Sequence, residues 1–392
     1  MYKVQTFNNI AEEGLQRLSD ENFQSVDASA DAILLRSHKL SSQEFGSSLK
    51  VIARAGAGVN NVPIADATAK GIVVMNTPGA NANAVKELVI CGMLLASRGI
   101  VQGINFLNSY TLSDATELNQ SMESIKKAFK GSELSGKTLG IIGLGAIGSQ
   151  LAQAAHALGM RLIGYDPYIS IDAAWRLPRE VEKAETLELL IRNSDFISLH
   201  IPLTEHTRDF INHKQLSNCK EGATLINLAR QGIVNEDDVI QALRENKLKR
   251  YVTDFPSPKL IQQNIEADNI ILLPHLGAST KEAEINCAVM AANQTINFLK
   301  DGTIKNSVNF PDIYLEPSTG NRLVVINRNA PGMIGKIADK LGELGLNIND
   351  MSNKSREDIA INIIDLDEDV SEDCLNQLNQ IEHVISARKC HA

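Results

Sequence analysis

"LGIIGLGAIGSQLAQAAHALG", residues 139–159, decides how this chain must fold. An apolar β-rich run ends at Gly143, and Gly143, Gly145 and Gly148 then spell G-x-G-x-x-G at the start of a helical pattern. Gly143 permits a tight turn, Gly145 lets the backbone approach a pyrophosphate, and Gly148 allows close packing of the helix; the helix N-terminus favours anionic phosphates. The motif is weak alone. Here Asp166 ends the next β-rich run, "IGYDP", 18 residues after Gly148. An acidic residue at that place binds ribose hydroxyls and repels a 2′-phosphate, which favours NAD over NADP.

Outward from this motif the pattern repeats. "RLIGYDP", "FISLHIP", "ATLINLAR", "YVTDF" and "IILLPH" bring the β-rich runs of this region to six, with helical patterns between them. That is the layout of a doubly wound dinucleotide fold. Upstream, "KVQTF", "AILLRS", "VIARAG" and "IVVMNT" read as strands of a second parallel α/β region. Between the two regions, "NANAVKELVICGMLLASRGIVQGINFL" predicts one long helix, loosened near Gly99 and Gly103, and a polar stretch follows it. Residues 281–300 are helical again, and "SVNFPDIYLEPSTG", with Pro311, Pro317 and Gly320, reads as a linker. The tail reads βαββαβ, a small ferredoxin-like module.

At 392 residues, two to four domains are expected. A net charge of -9 argues against sequence-independent nucleic-acid binding, which needs clustered basic charge. The five cysteines are scattered and odd in number, and no Cys/His cluster supports a metal site or a disulfide framework. No signal peptide is visible, and the longest apolar stretches fall short of the ~20 residues that span a bilayer. A cytoplasmic setting without membrane contact is the expectation.

Placement at strand ends singles out further residues. Arg230, in "LINLARQGIVNEDDV", reads either as a bidentate clamp for a carboxylate or as a surface ion pair. His275, in "NIILLPHLGAST", closes the last strand of the nucleotide region; it is either structural or a general acid–base. Arg54 and Gly56 in "VIARAGAGVNNV", and Asn76 and Thr77 in "VMNTPGANANAV", form turns that could cradle an anion or merely cap. Arg36 ends another strand in "LLRSHK".

These segments together resemble the NAD-dependent D-2-hydroxyacid dehydrogenases: "VIARAGAGVNNV", "NTPGANANAVKELV", "GKTLGIIGLGAIG", "INLARQGIV" and "PHLGAST" stand in the family's order and spacing. The tail, "INRNAPGMIGKIADKLGELGLNINDM", is similar to an ACT domain, an amino-acid-sensing module. The resemblance implies a flavodoxin-like substrate domain over 1–96 and 285–315, a Rossmann NAD domain over 97–284, and a ferredoxin-like ACT domain over 321–392. It implies that Arg230 holds the substrate carboxylate and His275 moves the hydroxyl proton. Gly143, Gly145, Ala146, Ile147, Gly148, Asp166, Ile201, Pro202, Thr207, Leu228, Ala229, Asp254, Gly277 and Ala278 would contact NAD. Arg54, Gly56, Asn76 and Thr77 would line the substrate site, with Arg36 as a candidate phosphate ligand for a phosphorylated 2-hydroxy acid. Asn327, Asn329 and Asn347, the latter two near each other at one end of the module, would bind L-serine as effector between two ACT domains. Asn327 stands where some relatives carry histidine. A homodimer or homotetramer, no metal and no nucleic-acid partner complete the expectation.

One departure stands out. The family pairs its histidine with a glutamate in a segment of the form "DVFxxEP"; this chain reads "YVTDFPSPKLIQQNIEADN". Asp254 survives, and Pro258 or Lys259 occupies the place of the glutamate. Glu266 or Asp268 could substitute from the same loop. The alternatives to a phosphorylated substrate are another 2-hydroxy acid, such as D-lactate or glycerate, and an NAD(H)-sensing binding protein on the same fold.

Overall fold

The computed structural model describes residues 1–109, 121–123, 125–318 and 320–390, without the side chains of Asp172 and Glu266. Residues 110–120 of the expected polar stretch lie outside the described residues. The contacts divide the chain into two compact units, Met1–Asn81 with Lys281–Ala392, and Ala82–Thr280. The expected boundaries at 96/97 and 284/285 fall inside the helices Ala82–Ser97 and Lys281–Asp301; the contacts place the division at the start of each helix.

In the first unit, five parallel strands lie in the order β2-β1-β3-β4-β5, the flavodoxin-like order: β1 Lys3–Phe7, β2 Gln24–Ser25, β3 Ala32–Leu35, β4 Val51–Arg54 and β5 Val73–Met75. β2 escaped sequence reading because it is two exposed residues at the edge. β3 is buried along its whole length, as a parallel strand covered on both faces must be. The helix Lys281–Asp301 packs Cys287, Ala291, Phe298 and Leu299 into this core. Gly14 lets the helix Glu12–Asp20 cross it closely, since a Cβ there would meet Ala288 Cβ at 2.8 Å.

The second unit holds seven parallel strands: β6 Thr138–Ile142, β7 Arg161–Tyr165, β8 Val181–Lys183, β9 Phe196–Leu199, β10 Ala223–Asn227, β11 Leu248–Thr253 and β12 Ile270–Leu272. Their order, β12-β11-β10-β9-β6-β7-β8, reverses between β9 and β6, which is where open α/β sheets bind ligands. The extra strand β8, "VEK", is short, charged and largely exposed, so it gives no hydrophobic signal. The long helix expected after Asn81 is two, Ala82–Ser97 and Ile100–Ser109; they part at Gly99, where a Cβ would press on Phe129 Cα at 2.9 Å.

The tail, which belongs to the first unit, is a four-stranded antiparallel sheet in the order β14-β15-β13-β16, with β13 Asn321–Arg328, β14 Ile348–Arg356, β15 Ile359–Leu366 and β16 Val384–Cys390. Leu323, Val325 and Ile364 pack with Ile337 and Leu341 of the helix Met333–Glu343 and with Leu378 of the helix Glu372–Asn379. Val324, Ile326, Ile361 and Ile363 point the other way and share a core with Phe298 and Leu299. The expected linker is therefore no free tether. Met75 bridges Ser307, and Asn309, buried, accepts from Val74 N at 2.8 Å and donates to Ile72 O at 2.9 Å. Among the described residues no helix is long and apolar enough to cross a membrane.

Candidate active site

The nucleotide half of the site follows from the glycine turn. Gly143 has φ +91°, and a Cβ on it would lie 2.6 Å from His200 O, so a side chain is excluded. A Cβ on Gly148 would lie 2.1 Å from Gly143 O, which is why the helix Ala146–Ala157 can start so close to the turn. Gly145 is different: a Cβ there would meet nothing within 4 Å. It is the N-cap of that helix, carries no side-chain cap and is exposed, so the first-turn amides face open space. Such a terminus suits a pyrophosphate. Asp166 is tied beside it, its carboxylate accepting from Leu144 N at 2.8 Å and Tyr168 N at 3.0 Å. Each oxygen keeps a lone pair for a ribose hydroxyl. These residues fit a dinucleotide without a 2′-phosphate.

Sequence reading overlooked His200. It follows β9 beside the turn, half-buried, and desolvation pulls its imidazole down to about 4, so it is neutral at physiological pH. Nε2 bonds Ser198 Oγ at 2.9 Å and Nδ1 has no partner. Thr207, expected at the cofactor, spends its hydroxyl inside its own loop: it donates to Pro202 O at 2.6 Å and accepts from Thr204 N at 2.7 Å. Ile201 is half-buried beside this loop, and Leu228 and Ala229 are buried beyond β10.

Two strands further along the same sheet edge lie the groups with acid–base and clamp chemistry. Asn227, buried at the end of β10, holds the next turn from both sides: its amide donates to Arg230 O at 3.0 Å and its oxygen accepts from Ala229 N at 3.2 Å. Arg230 Nη1 donates to Ala229 O at 2.7 Å. Burial lowers the pKa of its guanidinium, and among the described residues no carboxylate pairs with it. A half-buried cation without a counter-charge is costly unless an anion arrives.

His275 stands beyond β12, roughly 10 Å from β10 at the usual strand spacing. Its φ is +58°, a left-handed conformation that costs a non-glycine residue about 1–2 kcal/mol. The compensation is Asp254. Its buried carboxylate accepts from Leu276 N at 2.6 Å and Gly277 N at 2.7 Å, so both oxygens brace the turn. Charge-assisted bonds of this kind contribute about 1.5–3 kcal/mol each, enough to offset the strain. Asp254 thus holds the His275–Ala278 turn in place. The imidazole is exposed, and Phe255 meets it edge-on at 5.4 Å between ring centres.

Neither Glu266 nor Asp268 stands at the His275 end of the sheet. The helix Pro258–Ala267 starts at the C-terminal end of β11, capped by Ser257, and runs away from the site. Its 10 residues span roughly 15 Å, so Glu266, in the last turn, and Asp268, before β12, stand at the opposite end of the sheet. The Glu266 side chain itself lies outside the described residues. Where the family glutamate would stand, Ser257 donates to Glu236 Oε2 at 2.7 Å and Lys259 pairs with Asp237 at 2.7 Å. Among the described residues no carboxylate bonds His275.

The first unit gathers its own cluster. Arg54 ends β4, and Arg36 and Thr77 follow the ends of its neighbours β3 and β5. Arg54 Nε donates to Arg36 O at 3.0 Å, and its guanidinium lies over Gly56, where a Cβ would come within 2.5 Å of Nη1. Asn76 donates to Ala57 O at 2.6 Å and Thr77 N donates to Gly56 O at 3.1 Å, which joins the two turns. Thr77 is fully buried, so it shapes this loop and offers no side-chain surface to a substrate. Arg36 is paired: its Nη1 is 2.7 Å from Glu284 Oε1.

In the tail, Asn327 is consumed internally. It is 2% exposed, donates to Arg328 O at 2.7 Å and accepts from Asn362 at 2.8 Å. Asn329 bonds Glu357 O at the end of the β14–β15 turn, whereas Asn347 stands before β14, beside Asp367. β14 and β13 run in the same direction, each antiparallel to β15, so these two asparagines lie at opposite ends of the sheet, ~25 Å apart, and not together as expected.

Comparison with known proteins defines the class. The family model for the D-isomer specific 2-hydroxyacid dehydrogenase, NAD binding domain, matches residues 96–277. A D-3-phosphoglycerate dehydrogenase of Haemophilus influenzae is 33% identical over 84% of this chain and 78% of its own length. The chain belongs to the D-isomer specific 2-hydroxyacid dehydrogenases, and its second unit is their NAD-binding domain. A D-3-phosphoglycerate dehydrogenase of Methanocaldococcus jannaschii is 39% identical over 72% of this chain, which spans about half (52%) of that longer protein. The NAD+-bound 3-phosphoglycerate dehydrogenase of Entamoeba histolytica aligns with 79% of this chain and 98% of its own, at 29% identity and a TM-score of 0.61.

Proposed function

We propose that this protein oxidises 3-phospho-D-glycerate with NAD+ to 3-phosphohydroxypyruvate, the entry to phosphorylated serine synthesis. The observation that carries the reading is the half-buried, carboxylate-free Arg230 on the sheet edge of an NAD domain, joined to the names of the relatives. NAD+, when bound, supplies the hydride acceptor. Arg230 holds the substrate carboxylate through its planar fork and polarises the oxygen that becomes the carbonyl. His275 takes the hydroxyl proton in oxidation and returns it in reduction. Arg36 is the candidate ligand for the phosphate, and Arg54 lines the substrate site.

The test is NADH oxidation followed with phosphohydroxypyruvate and a panel of unphosphorylated 2-oxo acids. A preference for an unphosphorylated acid would assign a different 2-hydroxy acid; tight NADH binding without turnover would make the chain an NAD(H) sensor. Arg230→Lys keeps the charge and loses the fork. It should lower kcat/KM for the oxo acid about 10- to 1,000-fold while NADH affinity barely changes, and parent-like kinetics would remove the clamp role.

The tail's βαββαβ succession and its strand order support a ferredoxin-like ACT module, and the resemblance to ACT domains supplies L-serine as its effector. Since Asn329 and Asn347 lie at opposite ends, a site using both needs two copies. Edge strand β14 set antiparallel against its twofold mate would bring Asn347 of one copy toward the Asn329 end of the other. This reading implies a homodimer through the NAD domain that can extend to a tetramer, in the cytoplasm. L-serine should then bind by calorimetry and lower activity, and Asn347→Ala should abolish both effects. No heat and no inhibition at millimolar serine would leave the module an assembly device. Deleting the tail is the poorer test, because it would uncover Phe298 and Leu299.

A further inference from the structure

Within the first unit, a groove of about 380 Å³ lies along the helix Lys281–Asp301, where the chain returns through Thr303–Asn306. Pockets for small ligands run from about 300 to 1,000 Å³, so this one is of a size to hold a small molecule. Asn286, Asn293 and Asn297 line it from the helix. Residues seven and four apart fall on one stripe, so the three amides share a face. Asparagine is a poor helix former, because its amide competes for backbone groups. Among the described residues none of these three side chains makes a hydrogen bond, so the helix bears that cost without a bond in return. A merely solvated face would be better served by Glu, Lys or Ala. The returning chain adds Thr303, Lys305 and Asn306. Thr303 Oγ1 is buried without a partner, and among the described residues no carboxylate pairs with Lys305 and no acid lines the groove.

The groove is also tied to a turn already described. Asn306 Nδ2 donates to Gln294 Oε1 at 2.6 Å, and Gln294 Nε2, from the same lining, donates to Asn76 O at 2.9 Å. Asn76 N in turn donates to Asn306 O at 3.3 Å. We propose that this groove is a second small-molecule site, one that takes a hydroxylated acid, with hydroxyls on the asparagine amides and the acid group at Lys305. Each amide offers both a donor and an acceptor, as a hydroxyl requires, whereas the ammonium only donates and favours an anion. Lys305 is exposed, so solvent screens its share and the amides carry most of the recognition. A ligand bonded to Gln294 or Asn306 competes for the bonds that hold Asn76, so occupancy changes the affinity for the oxo acid. That consequence rests on the reading above, which sets Asn76 at the substrate; the binding itself does not.

The test is calorimetry on the full chain with three sugars that differ at one carbon: D-glucuronate, D-glucose 6-phosphate and D-glucose. At least one of the two acids should bind more tightly than glucose by about threefold, and the tighter of them identifies the acid group. Asn293→Ala should weaken that acid about three- to tenfold, and Lys305→Gln should bring it to the level of glucose. Alanine is the better helix former, so the Asn293 variant should unfold no earlier than the parent; an earlier midpoint would mark a structural asparagine and count against the site. No heat from either acid at about 20 mM, or heat unchanged in both variants, overturns the proposal. In the parent, but not in the two variants, the bound acid should also shift KM for the oxo acid while kcat changes less. Binding without that shift keeps the site and removes its coupling to Asn76. The calorimetric result is decided without turnover, so it stands apart from whether phosphohydroxypyruvate proves to be the substrate.

Discussion

His275→Ala is expected to lower kcat about 10²- to 10⁴-fold while NADH still binds with an affinity within about twofold of the parent. The expectation follows from position. The ring is exposed at the C-terminal edge of the sheet, beyond β12, held there by a turn whose next two amides are fixed by Asp254. Its neighbours at this end of β11 are engaged elsewhere: Lys259 is occupied by Asp237 and Ser257 by Glu236. Alanine in a left-handed conformation adds about 1 kcal/mol of strain, so a folding defect must be separated from a chemical one. His275→Asn does that, since asparagine tolerates φ +58° yet cannot act as a base near neutrality. Both variants should bind NADH and both should be slow. Parent-like turnover in the asparagine variant would show that the proton moves through another group.

The second large effect lies far from the chemistry. Arg322, at the start of β13, and Asp365, near the end of β15, are both fully buried. They form a two-point pair, Nε to Oδ1 at 2.6 Å and Nη2 to Oδ2 at 2.9 Å, and Ser318 adds a backbone and a hydroxyl donor to Oδ2. Nη1 reaches Asp301 O at 3.2 Å, at the end of the long helix. Asp365→Ala leaves a guanidinium buried without its counter-charge and should cost about 3–5 kcal/mol in denaturant unfolding. The paired replacement Arg322→Met with Asp365→Leu should cost far less, because no unpaired charge remains. Equal losses in the two proteins would mean that packing, not charge, holds the module's first strand. Desolvation raises the Asp365 carboxyl, but the bonds from Arg322 and Ser318 outweigh it and hold it below its ordinary 3.8. A carboxylate depressed on folding stabilises fully above its unfolded value, so this contribution is present at neutral pH and disappears as pH falls through the lower, folded value.

Much of the nucleotide half is legible in the sequence, because its requirements are local. A turn that must admit a pyrophosphate excludes Cβ atoms at Gly143 and Gly148, and that exclusion is written in consecutive residues. Fully buried parallel strands read as apolar runs, so β4, β6 and β10 announced themselves. β2 and β8 did not, since short exposed edge strands carry no apolar signal.

By itself, then, the sequence determined the αβ alternation, the glycine turn with its acidic partner, the strand-end positions of Arg230 and His275, and the βαββαβ order of the tail. The tertiary structure alone decided what each polar group is bonded to. Asp254 stands out in sequence only as an acid at a strand end, and it is the return of β12 beside β11 that sets both its oxygens on the His275 turn. Glu266 looks like a near neighbour of His275, yet the intervening helix carries it to the far end of the sheet. Arg36 and Glu284, 248 positions apart in the sequence, meet because the helix Lys281–Asp301 returns to the end of β3. The physical reason is range: backbone sterics and hydrophobic periodicity act over a few residues, whereas a charge or a hydrogen-bond donor is satisfied by whatever the completed fold brings within about 3 Å.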